Sequence, residues 1–84
     1  MGRRTVVKPK DIGGNVKKLR AELGMTTTDL AKKVGISQAQ ISRLENGQQG
    51  FRSGTLMKIA AVLKVPPFRL LMTDKEWARW QKAK

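Results

Sequence analysis

The stretch from Gln38 to Asn46 sets amide, hydroxyl, methyl and guanidinium groups at helical spacing. At about 100° per residue, Ile41, Leu44 and Glu45 share one side of a helix, while Ala39, Arg43 and Asn46 centre on the other. Gln40 and Ser42 flank that polar side, and Gln38 projects from the helix start. Base edges in a duplex groove call for such groups: a guanidinium pairs with guanine, an amide with adenine, and a small methyl packs on thymine. A solvated helix face has the same composition, so composition alone does not separate the two readings.

Spacing does. From Thr27 to Asn46 the chain reads helix, a turn opened by Gly35, then helix. Ala31 is small where two helices must cross closely, Gly35 can take positive φ, and Ile41 and Leu44 lock the second helix onto the first. The apolar positions are Leu30, Val34, Ile36, Ile41 and Leu44, with polar residues nearly everywhere between. The run Thr26–Thr28 offers an N-cap, with Asp29 suiting the positive helix end, and Ser37 caps the helix that follows. Gly47 supplies a left-handed exit.

The elements on either side must hold this pair. Ile12, Val16, Leu19 and Leu23 form one face of a first helix, ended by Gly24. Before it, residues 1–11 carry Arg3, Arg4, Lys8 and Lys10 against Asp11, and Pro9 is expected to break any helix there. This stretch reads as a basic arm, either tracking phosphates or a minor groove, or simply a disordered terminus that adds solubility. Downstream, Ser53 is expected to cap a fourth helix with Leu56, Ile59, Ala60 and Leu63 facing inward. Val65-Pro66-Pro67 stops it and starts a fifth short helix carrying Phe68, Leu70 and Leu71. Thr73 and Glu76 read as a capping box opening a last helix through about Lys82. The chain thus divides into an arm (1–11), a helical domain (12–72) and a C-terminal amphipathic helix (73–84), all α in class.

Other chemistry is poorly supplied. The 84 residues include no His and no Cys, removing the commonest general base and thiolate metal sites. The six carboxylates, Asp11, Glu22, Asp29, Glu45, Asp74 and Glu76, are scattered, with no pair set for acid–base work or a metal. Gly13-Gly14 lack the spacing and lysine of a phosphate loop. No catalytic residue, cofactor or metal is expected. Eighteen Lys and Arg against six acids leave a net charge of +12, which predicts attraction to polyanions. The longest apolar run, Ile59 to Leu63, is too short to span a bilayer, and Val6 stands where a myristoylation signal wants Ser or Thr. The expectation is a cytoplasmic, nucleoid-associated module of bacterial or phage type, not a membrane protein.

The residues Gly24-Met25-Thr26-Thr27, Leu30-Ala31, Val34-Gly35, Ser37-Gln38, Ile41-Ser42 and Leu44-Glu45-Asn46-Gly47 resemble the DNA-binding domain of the Cro and phage-repressor (XRE) helix-turn-helix proteins. The resemblance covers about residues 12–71. It implies a lambda-repressor-like bundle of four to five short helices in which residues 38–46 enter the major groove. Gln38, Ala39, Ser42 and Arg43 then fall at base-contacting positions. Phosphate contacts fall to Thr27, Lys32, Lys33, Gln40, Asn46, Gln48, Arg52 and Lys17, with Arg3 and Arg4 from the arm and Lys58 as a further cation. Arg20 and Glu45 match the family's internal ion pair, a structural role. Thr27 departs from the pattern, because many members carry Gln there, and so does Lys64, where Gly is usual.

The resemblance further implies a homodimeric repressor reading an inverted repeat in double-stranded DNA. Trp77 and Trp80 share one side of the last helix. Either they pack within the chain, or they form a dimer or partner surface with Phe68 and Leu71. The alternative function is an antitoxin that binds a toxin through this tail and represses its own operon with the same motif.

Overall fold

Side-chain caps at one end and left-handed residues at the other set most helix boundaries in this chain. A computed structural model describes residues 9–83, with side chains from Asp11 onward. Arg3, Arg4 and most of the basic arm lie outside the described residues. The helices are α1 (Pro9–Glu22), α2 (Thr27–Val34), α3 (Gln38–Glu45) and α4 (Ser53–Leu63); after a 3-10 turn at Pro67–Leu71 comes α5 (Asp74–Ala83). Among the described residues there is no strand, and the class is all α, as expected.

Thr26 and Asp29 form a reciprocal capping box at α2, Ser37 and Gln40 another at α3, and Thr73 and Glu76 a third at α5. Each satisfies two backbone or side-chain groups that a bare helix start leaves open. The exits of α1 to α4 turn through Gly24, Gly35, Gly47 and Lys64, at φ of 71°, 89°, 75° and 62°. Lys64 therefore adopts the glycine-like turn usual at its position despite its side chain. Its backbone N–H and that of Val65 close on the carbonyls of Ala61 and Ala60.

Ten apolar side chains from five elements make the core: Val16, Leu30, Ala31, Val34, Ile41, Leu44, Ile59, Ala60, Leu63 and Leu70. They are the innermost members of the stripes read from helical periodicity, with Ile12, Leu19 and Leu56 of those stripes partly buried against them and one stripe residue left outside. Leu23 is 47% exposed because α1 ends at Glu22 and Leu23 already lies in the turn.

Three other boundaries differ from the sequence reading. Pro9 starts α1 instead of breaking it, because a helix's first residue needs no N–H partner and proline's fixed φ suits that place. Arg52 is the N-cap of α4 and bonds nothing there through its side chain; Ser53 is already helical. The element carrying Phe68, Leu70 and Leu71 is a single five-residue 3-10 stretch, started by Pro67 and closed by the Met72 N–H on the Arg69 carbonyl.

Gly13 explains how α1 reaches α3. A Cβ there would sit 2.2 Å from the Leu44 carbonyl oxygen and 2.7 Å from that of Glu45, both backbone atoms. Only a residue without a side chain lets α1 lie this close to the end of α3.

Candidate nucleic-acid interface

α3 is fixed to the body through its inner side. Ile41, Leu44 and Glu45 are buried, and Glu45 is held by Arg20 of α1 through a two-pronged contact: Nε to Oε2 at 2.7 Å and Nη2 to Oε1 at 3.1 Å. The remaining guanidinium nitrogen, Nη1, donates to the Met25 carbonyl at 2.7 Å, so one side chain joins α1, the α1–α2 turn and α3. The hydrogen bond that Arg20 donates to Glu45 raises the Arg20 pKa above its ordinary value, and Coulombic attraction adds to it against the cost of burial. Such a pair adds little net stability, yet removing one partner strands the other and costs about 3–5 kcal/mol.

With its inner side anchored, α3 turns Gln38, Ala39, Arg43 and Asn46 outward, all exposed, with Ser42 half-buried beside them. Gln38 does not hang free. Its Nε2 donates to Thr27 Oγ1 at 3.0 Å, linking the first residues of α2 and α3. Threonine, at the position where many members carry Gln, thus links the two helices. Because Thr27 accepts this bond, its hydroxyl hydrogen stays available to a further acceptor. Gln38 keeps its carbonyl and one N–H.

The other residues singled out from the sequence are distributed as follows. Gln40 is half-buried and its carbonyl is committed to the Ser37 N–H, leaving its amide N–H groups outward. Gln48 and Arg52 are exposed on the α3–α4 loop, and Lys17 and Lys58 are exposed on α1 and α4. A notch of about 270 Å³ lined by Gln40, Gln49, Gly50, Arg52 and Thr55 adjoins the start of α4, where no side chain caps the first turn. Lys32 and Lys33 are exposed on α2, but Lys33 lines a different groove, with Leu23, Met25, Ala61, Val62 and Lys64. The structure does not gather Lys33 with Thr27 and Gln38.

Phe68, Trp77 and Trp80 meet in one cluster. Phe68 stands edge-on to Trp80 at 4.9 Å between centroids, and the two indoles stack at 5.1 Å. The tryptophans are half-buried within the chain, whereas Phe68 and Leu71 remain 38% and 43% exposed.

Three contributors escaped the sequence reading. Arg69 is almost fully buried, lying 5.2 Å over the Trp77 ring and bonding Asp74 at 3.0 Å. Lys18 pairs with the same Asp74. Asn15 Nδ2 donates to the carbonyls of Leu70 and Met72 at 2.7 and 2.9 Å, tying α1 to the approach to α5. Asn15 breaks no pattern in the sequence; the arginine flanked by Phe68 and Leu70 was the available signal.

A family model described as helix-turn-helix matches residues 16–70. The chain belongs to the helix-turn-helix family. Its helix-turn-helix pair is α2 and α3, and its fold is that of DNA-binding transcriptional regulators and phage repressors. The HTH-type transcriptional repressor RghR of Bacillus subtilis (strain 168) is 40% identical over 58 residues, 68% of this chain and 43% of that protein. Antitoxin HipB of Escherichia coli (strain K12) is 35% identical over 60 residues, 71% of this chain and 68% of HipB. Among solved structures, the master regulator for biofilm formation SinR of Bacillus subtilis, in complex with DNA, superposes with a TM-score of 0.69 at 34% identity, over 73% of this chain and 98% of that one. The chain spans about two-fifths of the length of the first curated relatives it matches. Among the described residues, no helix is long and apolar enough to cross a membrane.

Proposed function

We propose that this helix-turn-helix chain is a transcriptional repressor that reads an inverted-repeat operator in double-stranded DNA as a homodimer. The observation that carries the reading is the outer face of α3, exposed along Gln38, Ala39 and Arg43 with Ser42 half-buried beside them, while Arg20–Glu45 and Thr27–Gln38 fix its position. A rigid helix bearing an amide, a methyl, a hydroxyl and a guanidinium meets the major-groove pattern group by group. Thr27 contributes twice in this reading: it donates its hydroxyl hydrogen to a phosphate and holds the Gln38 amide with one N–H inward. The remaining N–H and carbonyl of Gln38 then match N7 and N6 of adenine, and Arg43 pairs with guanine. Lys32, Lys17, Gln40, Asn46, Gln48 and Arg52 supply phosphate contacts, with Arg3 and Arg4 adding to them and Lys33 contributing from the far side of α2. SinR, captured with DNA, and the repressor RghR support the reading.

Dimerisation is assigned to the exposed edge of the aromatic cluster, Phe68 and Leu71 with Trp77 and Trp80. Two recognition helices then lie about 34 Å apart, one turn of duplex. Selection from a random duplex library at ~150 mM salt tests this, because nonspecific attraction is weakened there. An enriched inverted repeat is expected. Enrichment of a single, unpaired half-site removes the homodimer, and enrichment of no sequence removes specific readout.

A second reading keeps the motif and changes the partner. Similarity to HipB and the exposed aromatic edge favour an antitoxin that docks a toxin through Phe68, Leu71, Trp77 and Trp80. A chain that is monodisperse and dimeric alone supports the repressor; one that becomes so only with a co-expressed protein supports the antitoxin.

A further inference from the structure

We infer that the groove where α1, α2 and α4 end is a docking site for an acidic, leucine-bearing segment of a protein partner. This groove of about 470 Å³ is lined by Leu23, Met25, Ala61 and Val62, with Lys33 and Lys64 as its charged residues. Leu23 is 47% exposed, and Met57, one helical turn before Ala61, is 59% exposed, so the apolar surface continues along α4. None of the chain's six acids lines it. Asp29, nearest along α2, accepts from the Thr26 N–H in its capping box and feels the Lys33 charge only as a minor contribution beside that bond.

Lys64 supplies an independent observation. It is the only non-glycine residue at positive φ among the described residues, occupying a turn that glycine makes without strain. A backbone conformation held against the preference of its residue is a mark of use. Here it sets an ammonium at the rim of an apolar groove, with Lys33 also in the lining.

Leucine-sized apolar walls with two cations match a short helix carrying leucines on one side and carboxylates beside them. Local charge decides against a second copy seated groove to groove, because that would set Lys33 and Lys64 against the same two cations with no acid in the lining. The groove contains none of the outward residues of α3 and shares only Lys33 with the phosphate contacts of the operator reading, so the inference does not rest on that reading.

The test is a titration of the isotope-labelled full chain, followed by amide NMR shifts at ~150 mM salt. The probe is a terminally blocked helical peptide of about four turns, leucines on one face and glutamates on the other. Two controls replace the leucines with serine or the glutamates with glutamine. Expected are shifts centred on Leu23, Met25, Lys33, Ala61, Val62 and Lys64, and affinity at least about tenfold above either control. Ala61→Glu, an exposed position, should abolish the shifts. Lys64→Gly should weaken binding several-fold while relieving its turn, so that loss cannot be ascribed to unfolding. Equal affinity for the serine control, shifts centred on Phe68 and Trp80, concentration-dependent self-association at the groove, or no binding of any peptide would each overturn the inference.

Discussion

At the scale of the residue, base readout and backbone attraction are separable, because they fall to different side chains. Arg43 is exposed on the outer face of α3, whereas Lys32 stands on α2, away from it. Arg43→Ala is expected to cost about 1–3 kcal/mol at one base pair of the selected operator and little elsewhere. Lys32→Ala should weaken all sequences about equally and reduce the salt slope by about one. Binding to a panel of single-base operator variants distinguishes them, and uniform loss for Arg43→Ala removes its base-reading role. A second residue-scale consequence follows from Asp29. The Thr26 backbone N–H, and then the Thr26 hydroxyl, hold its carboxyl below the ordinary carboxylate range. The folded state therefore binds this proton less readily than the unfolded one. The contribution is present above the unfolded carboxylate pKa and is lost as pH falls through the lower folded value. Urea midpoints followed from about pH 7 to about pH 3 should fall less steeply for Asp29→Asn than for the parent chain.

At the scale of the element, two adjacent glycines in α1 have opposite consequences. A methyl at Gly13 meets the carbonyls of Leu44 and Glu45, whereas one at Gly14 meets nothing within 4 Å. Gly13→Ala should destabilise by about 1–3 kcal/mol or more, since backbone must move to admit the methyl. Gly14→Ala should stabilise by about 0.5–1 kcal/mol through helix propensity alone. Chemical denaturation of the two variants checks both signs. The sequence carried no hint of this difference, because both residues fall side by side between Ile12 and Val16 of the apolar stripe, and what separates them is how close another helix comes. The stripes of α2, α3 and α4 were legible since each follows helical periodicity, and α2 and α3 also start at recognisable caps, whereas α4 starts at Arg52 with no side-chain bond. The Arg20–Glu45 pair was legible only by resemblance, and Asn15 not at all, because its partners are carbonyls more than fifty residues away; for Arg69 the one signal was its place between Phe68 and Leu70, and its bond to Asp74 and its ring contact with Trp77 depend on how α5 folds back. Of the candidate interface, the identities on α3 could be read directly. The bond from Gln38 to Thr27 could not, because it depends on how α2 and α3 cross.

At the scale of the whole molecule, charge sets how strongly the chain meets nucleic acid, and shape sets where. With +12 on 84 residues, binding to duplex of any sequence should fall steeply with salt, by about 0.9 in slope for each phosphate neutralised. The operator selected at ~150 mM should retain more of its affinity than random duplex, which a pair of salt titrations measures. The last feature to weigh is α5. It buries no residue of its own and is held by the Phe68–Trp77–Trp80 cluster, by Asp74 between Lys18 and Arg69, and by its tie through Asn15 at the preceding carbonyls. Opening it exposes rings and breaks ion pairs but leaves the ten core side chains in place. In deuterated water, the amide protons of α5 should therefore exchange by local fraying, long before those of Ile41, Ile59 and Leu63, which wait for the whole core to open. A dimer or a bound partner on the aromatic edge would slow the first set and leave the second unchanged, making α5 the clock by which assembly is read.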